Sequence, residues 1–508
     1  TVSVQSLDAT MSSDVRLGLV TLTAGSLDVT QASVLHADTQ GTVGINTFSA
    51  ASSSKVYFYS PVEWYSTTGT RATSITLQDE HTRVYWDYSG TLGGATTGTS
   101  EVAVDTWVVG ADTIMYPGLI HVALDPIATL TIDGEMDIAV STAGDRVSVQ
   151  AFSVSGTCHT NHPLDLHMLQ SLDVSGTLSM DTVGHAAGTF AATPTSIGAS
   201  VDDVTMSITG TWTAGHVSLR GKQLTISTGA TVTMMAKDSL ARVDTITVNG
   251  ELTIDNRVAF RGQDGTSPMA SLTVGSGATF VLDNDDAWAA QGSSIHADSV
   301  SSAGTFTARL LELATQSLTV SAGTATFKAK DNAIASSSIS VSGTLHVFNQ
   351  ADIRASDGIL SMTSLSVGSS GTFYLDKYGH DNSSTWTGAA GSSIVVNTVT
   401  VNGNFFAGLL YLEGTSLTIS SGGEMTMDAK DFEGYMDEVT VSGQLEVRRQ
   451  LRMRARDKSG RMEWFRVLPS GVVEFGALGH ASSNQWSGTA KSIIYSEEVT
   501  VNGQLNAG

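Results

Sequence analysis

Ser416 to Asp431 reads S-L-T-I-S-S-G-G-E-M-T-M-D-A-K-D. The phrase returns as Q-L-T-I-S-T-G-A-T-V-T-M-M-A-K-D from Gln223 to Asp238, and as S-L-T-V-S-A-G-T-A-T-F-K-A-K-D from Ser317 to Asp331. The closing aspartates lie 93 and 100 residues apart (331 − 238 and 431 − 331). Each copy alternates apolar with small polar residues, turns at a glycine, alternates again and stops at Lys-Asp. Alternation with period two marks a strand with one buried face. Recurrence at a fixed long period marks a repeat architecture.

The glycines extend the pattern over most of the chain. A V-x-G phrase recurs at Gly156, Gly250, Gly343 and Gly443. Companion series run Gly176, Gly277, Gly371, Gly471, then Gly210, Gly304, Gly403, Gly503, then Gly229, Gly323, Gly423. Four strand-turn units therefore fall in each period of 93 to 100 residues, at 19 to 34 residues per unit. That is the size of one coil in a parallel β-solenoid, where each coil covers the face of the last. A string of immunoglobulin-like sandwiches would also give units of about 100 residues. Against it, the single cysteine leaves no Cys…Trp…Cys spacing, and the subunits of each period resemble one another. The expected fold is all-β, a parallel β-solenoid (β-helix) with four coils per superrepeat. Its divisions are N-terminal coils over 1–50, an irregular aromatic-rich first superrepeat over 51–152, superrepeats over 153–246, 247–339 and 340–439, and a partial one over 440–508.

One segment looks helical by composition, A-R-L-L-E-L-A from Ala308 to Ala314. It aligns with A-G-L-L-Y-L-E from Ala407 and A-G-H-V-S-L-R from Ala214, neither of which favours a helix. All three keep a pair of apolar residues two apart: Leu311 and Leu313, Leu410 and Leu412, Val217 and Leu219. The spacing predicts strand.

Composition sets the broad class. Of 508 residues 41 % are hydrophobic and only 15 % charged, which excludes a disordered chain. The formal charge of −23 excludes general nucleic-acid binding, which rests on a cationic surface. One cysteine permits no internal disulfide, and no apolar run approaches the ~20 residues of a membrane span. Thr1 is not an initiator Met, so the expectation is that processing or a boundary lies before it. The stretch from Lys55 to Gly90 carries Tyr57, Phe58, Tyr59, Trp64, Tyr65, Tyr85, Trp86 and Tyr88, either widening the core or forming a cap.

Several groups of residues invite a chemical reading. Cys158, His159, His162, Asp165 and His167 gather zinc-type ligands. Cys158 and His159 are adjacent, however, and would face opposite sides of a strand, so loop decoration is preferred. Asp283, Asp285 and Asp286 form the densest acid cluster; calcium would suit it, but EF-hand spacing is absent. No other cofactor is expected. The pairs Lys237-Asp238, Lys330-Asp331 and Lys430-Asp431 have catalytic residue types, yet they recur once per period, as turn ion pairs do. No enzymatic activity is expected.

Arg261, Arg354 and Arg454 occupy one place in the period, each three before Asp264, Asp357 or Asp457. Trp288, Trp386 and Trp486 occupy another, in longer loops, and either plug their own coils or present a repeated binding surface for glycan. Asn382 heads the sequon Asn-Ser-Ser, an N-glycosylation acceptor in a secreted protein. Residues 448 to 466 hold eight of the chain's 26 bases. There Arg452, Arg454 and Arg456 alternate with Leu451, Met453 and Ala455, predicting an outward row of arginines that either meets an acidic surface of a neighbouring subunit or is a solvated face relieved by Glu446, Asp457 and Glu463.

The V-x-G turns, Ser/Thr-rich strands and absent disulfides resemble extracellular β-solenoid proteins such as filamentous adhesins and fibre proteins. The resemblance covers about residues 120 to 508 and is one of style. It implies a structural or adhesive role outside the cell. Three functions follow in order: a fibre subunit assembled head-to-tail, an adhesin reading glycan through its loops or tryptophans, and a polysaccharide-active enzyme. The expected partner is the chain itself, with glycans second and neither nucleic acid nor membrane insertion.

The ends of the chain carry the first of these. Val499 to Gly508, V-T-V-N-G-Q-L-N-A-G, matches V-T-V-N-G-N-F-F-A-G from Val399, after which Leu410 and Leu412 would follow. Thr1, Val2, Ser3 and Val4 supply that alternation, so the sequence is either one period of a longer covalent chain, a trimmed fragment, or a subunit that stacks end on end, for which Thr1, Val2, Val4, Asn506, Ala507 and Gly508 are the expected interface residues.

Overall fold

The computed structural model describes residues 2–507, apart from short stretches between strands and five longer ones, 86–98, 182–194, 283–292, 376–391 and 477–491; over 2–25 it describes the backbone alone. Among the described residues every regular element is a strand, and every strand pairing is parallel. The fold is a parallel β-solenoid. Immunoglobulin-like sandwiches are built of antiparallel sheets and do not fit. The chain divides into two compact units: unit 1 is Thr1–Asp244 with Gly250–Asp255, and unit 2 is Thr245–Asn249 with Asn256–Gly508.

Unit 2 shows why this sequence coils. Its long strands, such as Ser293–Ser302, Leu311–Val320 and Leu410–Ile419, are buried at every second residue, but the alternation slips once in the middle. In Leu311–Val320 the inward residues are Leu311, Leu313, Thr315, Leu318 and Val320, with Gln316 and Ser317 both outward between the two sets. The slip makes a corner, so both halves of one strand face the same core. At the corner's inner side a buried hydroxyl satisfies the bent backbone: Thr315 Oγ1 donates to the Ser317 carbonyl at 2.9 Å, and Ser336 Oγ to the Ser338 carbonyl at 2.8 Å. A tight turn and a four-residue strand follow, such as Thr324–Phe327, before the next long strand begins.

The register carries one outward column through Ser299, Ser317, Ser338, Ser364, Thr398, Ser416, Glu438, Trp464 and Glu498. Four steps bring Ser299 to Thr398 and four more bring Thr398 to Glu498, which confirms four coils per superrepeat of 99 or 100 residues. Inward, the short strands stack Phe260, Phe280, Phe306 and Phe327 at centroid separations of 6.1, 5.1 and 5.5 Å. Close coil-to-coil approach also fixes the turn glycines. A β-carbon on Gly443 would meet the carbonyl oxygen of Gly423 in the coil beneath, so only glycine fits.

Unit 1 follows the same rule. Ile75, Trp107, Leu130, Phe152, Leu172, Met206 and Leu224 succeed one another in register across its coils, and all are buried. The aromatic-rich region joins this ladder, with Lys55–Phe58 pairing along Arg83–Tyr85. The segment of helical composition is strand, as its apolar spacing predicts: Leu311, Leu313, Leu410, Leu412, Val217 and Leu219 are each at most 4 % exposed.

Candidate functional site

In unit 2 one coil of each superrepeat is interrupted mid-strand. The strands Val258–Arg261 and Met269–Val274 are separated by Gly262–Pro268, and Leu451–Arg454 and Met462–Val467 by 455–461. The two insertions have the same turn. Asp264 accepts the amides of Thr266 and Ser267, both at 2.7 Å, while Asp457 accepts those of Ser459 at 2.8 Å and Gly460 at 2.6 Å. For Asp264 the side-chain and backbone hydrogen bonds of Ser267 come first, and they hold its carboxyl well below the ordinary range. The Gly460 and Ser459 amides lower Asp457 likewise. These two aspartates of the Arg–Asp columns are turn caps; Asp357 lies outside the described residues.

The second insertion departs from the first at one residue. Gly265, with φ 77°, is replaced in the aligned turn by Lys458, with φ 66°. A side chain in the left-handed region costs about 1–2 kcal/mol, so this lysine is held there by its surroundings. Its ammonium donates to Glu413 Oε2 at 3.0 Å and stands 5.4 Å from the Tyr411 ring and 5.6 Å from the Tyr435 ring. Tyr411 Oη donates to the same Glu413 oxygen at 2.7 Å, and the two tyrosine rings lie 5.3 Å apart. Hydrogen bonding to Tyr411 and Glu413 pushes Lys458 up. Burial opposes the charge of Glu413, but hydrogen bonds from Tyr411 and Lys458 and the neighbouring cations outweigh it and hold Glu413 below its ordinary value. Burial raises Tyr411.

Register explains the gathering. Glu413 pairs with Tyr435 and Tyr435 with Arg454 on successive coils, so their side chains stand in one outward column. Arg454 ends the series with its guanidinium 4.4 Å from the Tyr495 ring, and its buried Nε has no hydrogen-bond partner among the described residues. The result is a face of alternating tyrosines and cations.

The three arginines expected in one outward row take three different roles. Arg452 is exposed on the strand Leu451–Arg454, and Arg454 lies half-buried against Tyr495. Arg456 stands past the strand's end, in the insertion. Its amide donates to Asp437 Oδ1 at 3.0 Å, Nη1 donates to Thr415 Oγ1 at 3.1 Å, and Nη2 reaches Ser361 Oγ. The row is broken because the strand stops at Arg454. The alternating Leu451, Met453 and Ala455 are buried.

Other candidate residues stand apart from this face. Cys158 is a core residue between Met136 and Leu178, and burial pushes its thiol far above the ordinary range, with the Asp137 charge adding. His159 faces outward on the same strand, so the two do not converge. Among the described residues no three His, Cys, Asp or Glu side chains are placed to hold a metal ion. Trp288, Trp386, Trp486, Asp283, Asp285, Asp286, Asn382, Thr1, Gly508, His162 and the three Lys-Asp pairs lie outside the described residues. Val2 and Val4 are on the strand Val2–Ala9, whose side chains are also outside them. Asn506 and Ala507 close the strand Gln504–Ala507, where Asn506 Nδ2 donates to Glu474 at 3.4 Å.

Pairing shifts the expected phase between the two ends. Leu7 and Ala9 lie beside Leu27 and Val29, a buried pair just before a turn, as Leu417 and Ile419 are. Counting back three places Val4 at the position of Gly414 and Val2 at that of Leu412, two residues from the register the alternation alone implied. Alternation alone allows both registers, since a shift of two residues keeps each side chain on the same face.

Sequence reading missed Tyr411, Glu413, Tyr435, Lys458 and Tyr495 as a group. The available signal was the replacement of Gly265 by Lys458 at an aligned turn. Compared with known protein families, with characterised proteins and with solved structures, the chain matches none.

Proposed function

We propose that this chain is a structural subunit of an extracellular fibre or filament, whose β-solenoid coils add end on end to those of a second copy. The observation that supports it is the pairing of coil on coil in parallel register, carried through the coil formed by Ile493–Ile494, Ser496–Val501 and Gln504–Ala507. Its inward positions continue the core columns, with Val499 beside Phe465, Val501 beside Val467 and Leu505 beside Val473. The three partners are fully buried, whereas Val499, Val501 and Leu505 are 54, 41 and 39 % exposed. Parallel coils in register stack on further coils of the same kind. Such a head-to-tail contact does not close on itself and propagates into a filament. The reading attaches no reaction to the chain.

Negative-stain electron micrographs and sedimentation of the full chain over a concentration series test it. Filaments that disappear in a Val499→Ser, Val501→Ser variant of unchanged melting temperature are the expected result. A chain that stays monodisperse at every concentration overturns the proposal. The extracellular placement rests on the resemblance of style and is checked by labelling intact cells with an impermeant reagent.

A second reading, a glycan-binding module, is favoured by the tyrosine–cation face, because aromatic rings and fixed cations are what sugars with acidic groups engage. Binding on a glycan array that Tyr435→Ala abolishes would support it over the structural reading.

A further inference from the structure

Two tyrosines of the tyrosine–cation face are held as a pair. The ring centroids of Tyr411 and Tyr435 are 5.3 Å apart and their planes are inclined at 49°. Both side chains are half-buried, so each remains within reach of solvent. Register sets the pair: Tyr435 lies beside Glu413 of the coil before it, and Tyr411 stands two residues ahead of Glu413 on the same strand. Aromatic side chains span a diagonal of that kind. We propose that Tyr411 and Tyr435 are a site of oxidative cross-linking, where a one-electron oxidant joins the two rings through a carbon–carbon bond and staples two successive coils.

The oxidant is hydrogen peroxide acting through a haem peroxidase. Each phenol gives up one electron and its hydroxyl proton and becomes a neutral phenoxyl radical. The two radicals combine at ring carbons ortho to oxygen, and the hydrogen on each of those carbons moves to oxygen as the rings regain aromaticity. One carbon–carbon bond forms and two ring carbon–hydrogen bonds break. The two electrons and two protons released reduce one peroxide to two waters. A phenol of pKa about 10 holds its proton at neutral pH, so a base must take that proton as the electron leaves. For Tyr411 the base is in place, because its hydroxyl donates to Glu413 Oε2 at 2.7 Å. The Lys458 ammonium, 5.4 and 5.6 Å from the two rings, opposes positive charge on either one. It therefore favours loss of electron and proton together over loss of the electron first. Paired strands hold both radicals side by side, which makes their combination a unimolecular step that outruns encounter with a second chain. The stack of Tyr374 on Phe406, 4.9 Å apart at 16°, is a natural contrast, since one of its rings has no hydroxyl and supplies no second radical. A coil of a solenoid opens locally against its neighbours, so a covalent link between two coils slows that opening.

The site lies within one chain and stands or falls apart from end-on stacking. The full chain at low concentration is treated with hydrogen peroxide and a haem peroxidase, digested, and read by mass spectrometry, with free tyrosine in a parallel reaction to show that the oxidant is active. The chain has 11 tyrosines, so random coupling would scatter over many pairs. The expected product is one joined pair of peptides, carrying Tyr411 and Tyr435 and lighter by two hydrogens than their sum, from a chain that still migrates as a monomer. Tyr411→Phe and Tyr435→Phe keep both rings and are each expected to lose that product, with circular dichroism confirming that they fold. Glu413→Gln is expected to slow its formation. In the chain unfolded in urea the same pair is expected to be no commoner than any other. Hydrogen exchange over Leu410–Ile419 and Phe432–Val441 is expected to slow once the rings are joined. A folded chain that leaves Tyr411 and Tyr435 unjoined while free tyrosine couples overturns the inference. So does a joined pair that is as frequent in the unfolded chain as in the folded one, or a rate that Glu413→Gln leaves unchanged.

Discussion

Lys458 holds a left-handed backbone at the place that Gly265 fills in the sister turn. Its φ of 66° is held by the 3.0 Å contact with Glu413 and by two tyrosine rings, not by local preference. Lys458→Gly and Lys458→Ala both delete the ammonium, but only glycine suits the backbone. The glycine variant is therefore expected to be more stable than the alanine variant by about 1 kcal/mol, read from denaturant midpoints. The sister caps make a pH-dependent prediction. Asp457 has its pKa lowered by amides in the folded state, so the stability it contributes is present above the ordinary aspartate pKa and is lost as pH falls through the lowered one. Asp457→Asn keeps an acceptor oxygen and loses the titration. The melting temperatures of wild type and variant are expected to converge as the solution is acidified below pH ~4.

At the scale of the element, the strand Leu410–Ile419 serves two masters. Its inward Leu410 and Leu412 are at most 1 % exposed, while its outward Tyr411 and Glu413 hold Lys458. Leu410→Ala leaves the outward residues in place and opens a cavity between coils, at an expected cost of roughly 2–5 kcal/mol by chemical denaturation. The insertion 455–461 is fastened by Arg456, which spans Asp437, Thr415 and Ser361 on earlier coils. Arg456→Lys keeps the charge but not the two-pronged guanidinium, and is expected to loosen the insertion nearly as much as Arg456→Ala. Limited proteolysis after Lys458 or Arg461 measures it, and resistance equal to wild type in Arg456→Lys would contradict the clamp.

At the scale of the whole molecule, each coil pairs, among the described residues, with the coils directly before and after it, so a defect is felt by its neighbours and fades beyond them. Hydrogen exchange on Leu410→Ala is expected to quicken in Ser392–Val401 and Phe432–Val441, the two strands paired with Leu410–Ile419. Asp145–Val154 in unit 1 is expected to keep its wild-type protection. Uniform acceleration along both units would show a cooperativity that nearest-neighbour pairing does not supply.

The sequence by itself determined the strands, the parallel solenoid and its four coils per superrepeat. Burial of alternate residues and close approach of stacked turns act on neighbours in the chain and repeat wherever the coil repeats. Leu311 and Leu313 declared a strand despite helical composition, and Gly443 its turn, because the constraint on each is local and periodic. Only the tertiary structure decided that Arg456 binds back onto Asp437, Thr415 and Ser361 while Arg452 stays exposed, and that Tyr411, Glu413, Tyr435 and Lys458 meet. Those outcomes depend on which coil lies beside which, and on mid-strand slips and insertions of unequal length. Contacts between residues 20 to 100 positions apart follow from that stacking, and no alternation within a single strand encodes them.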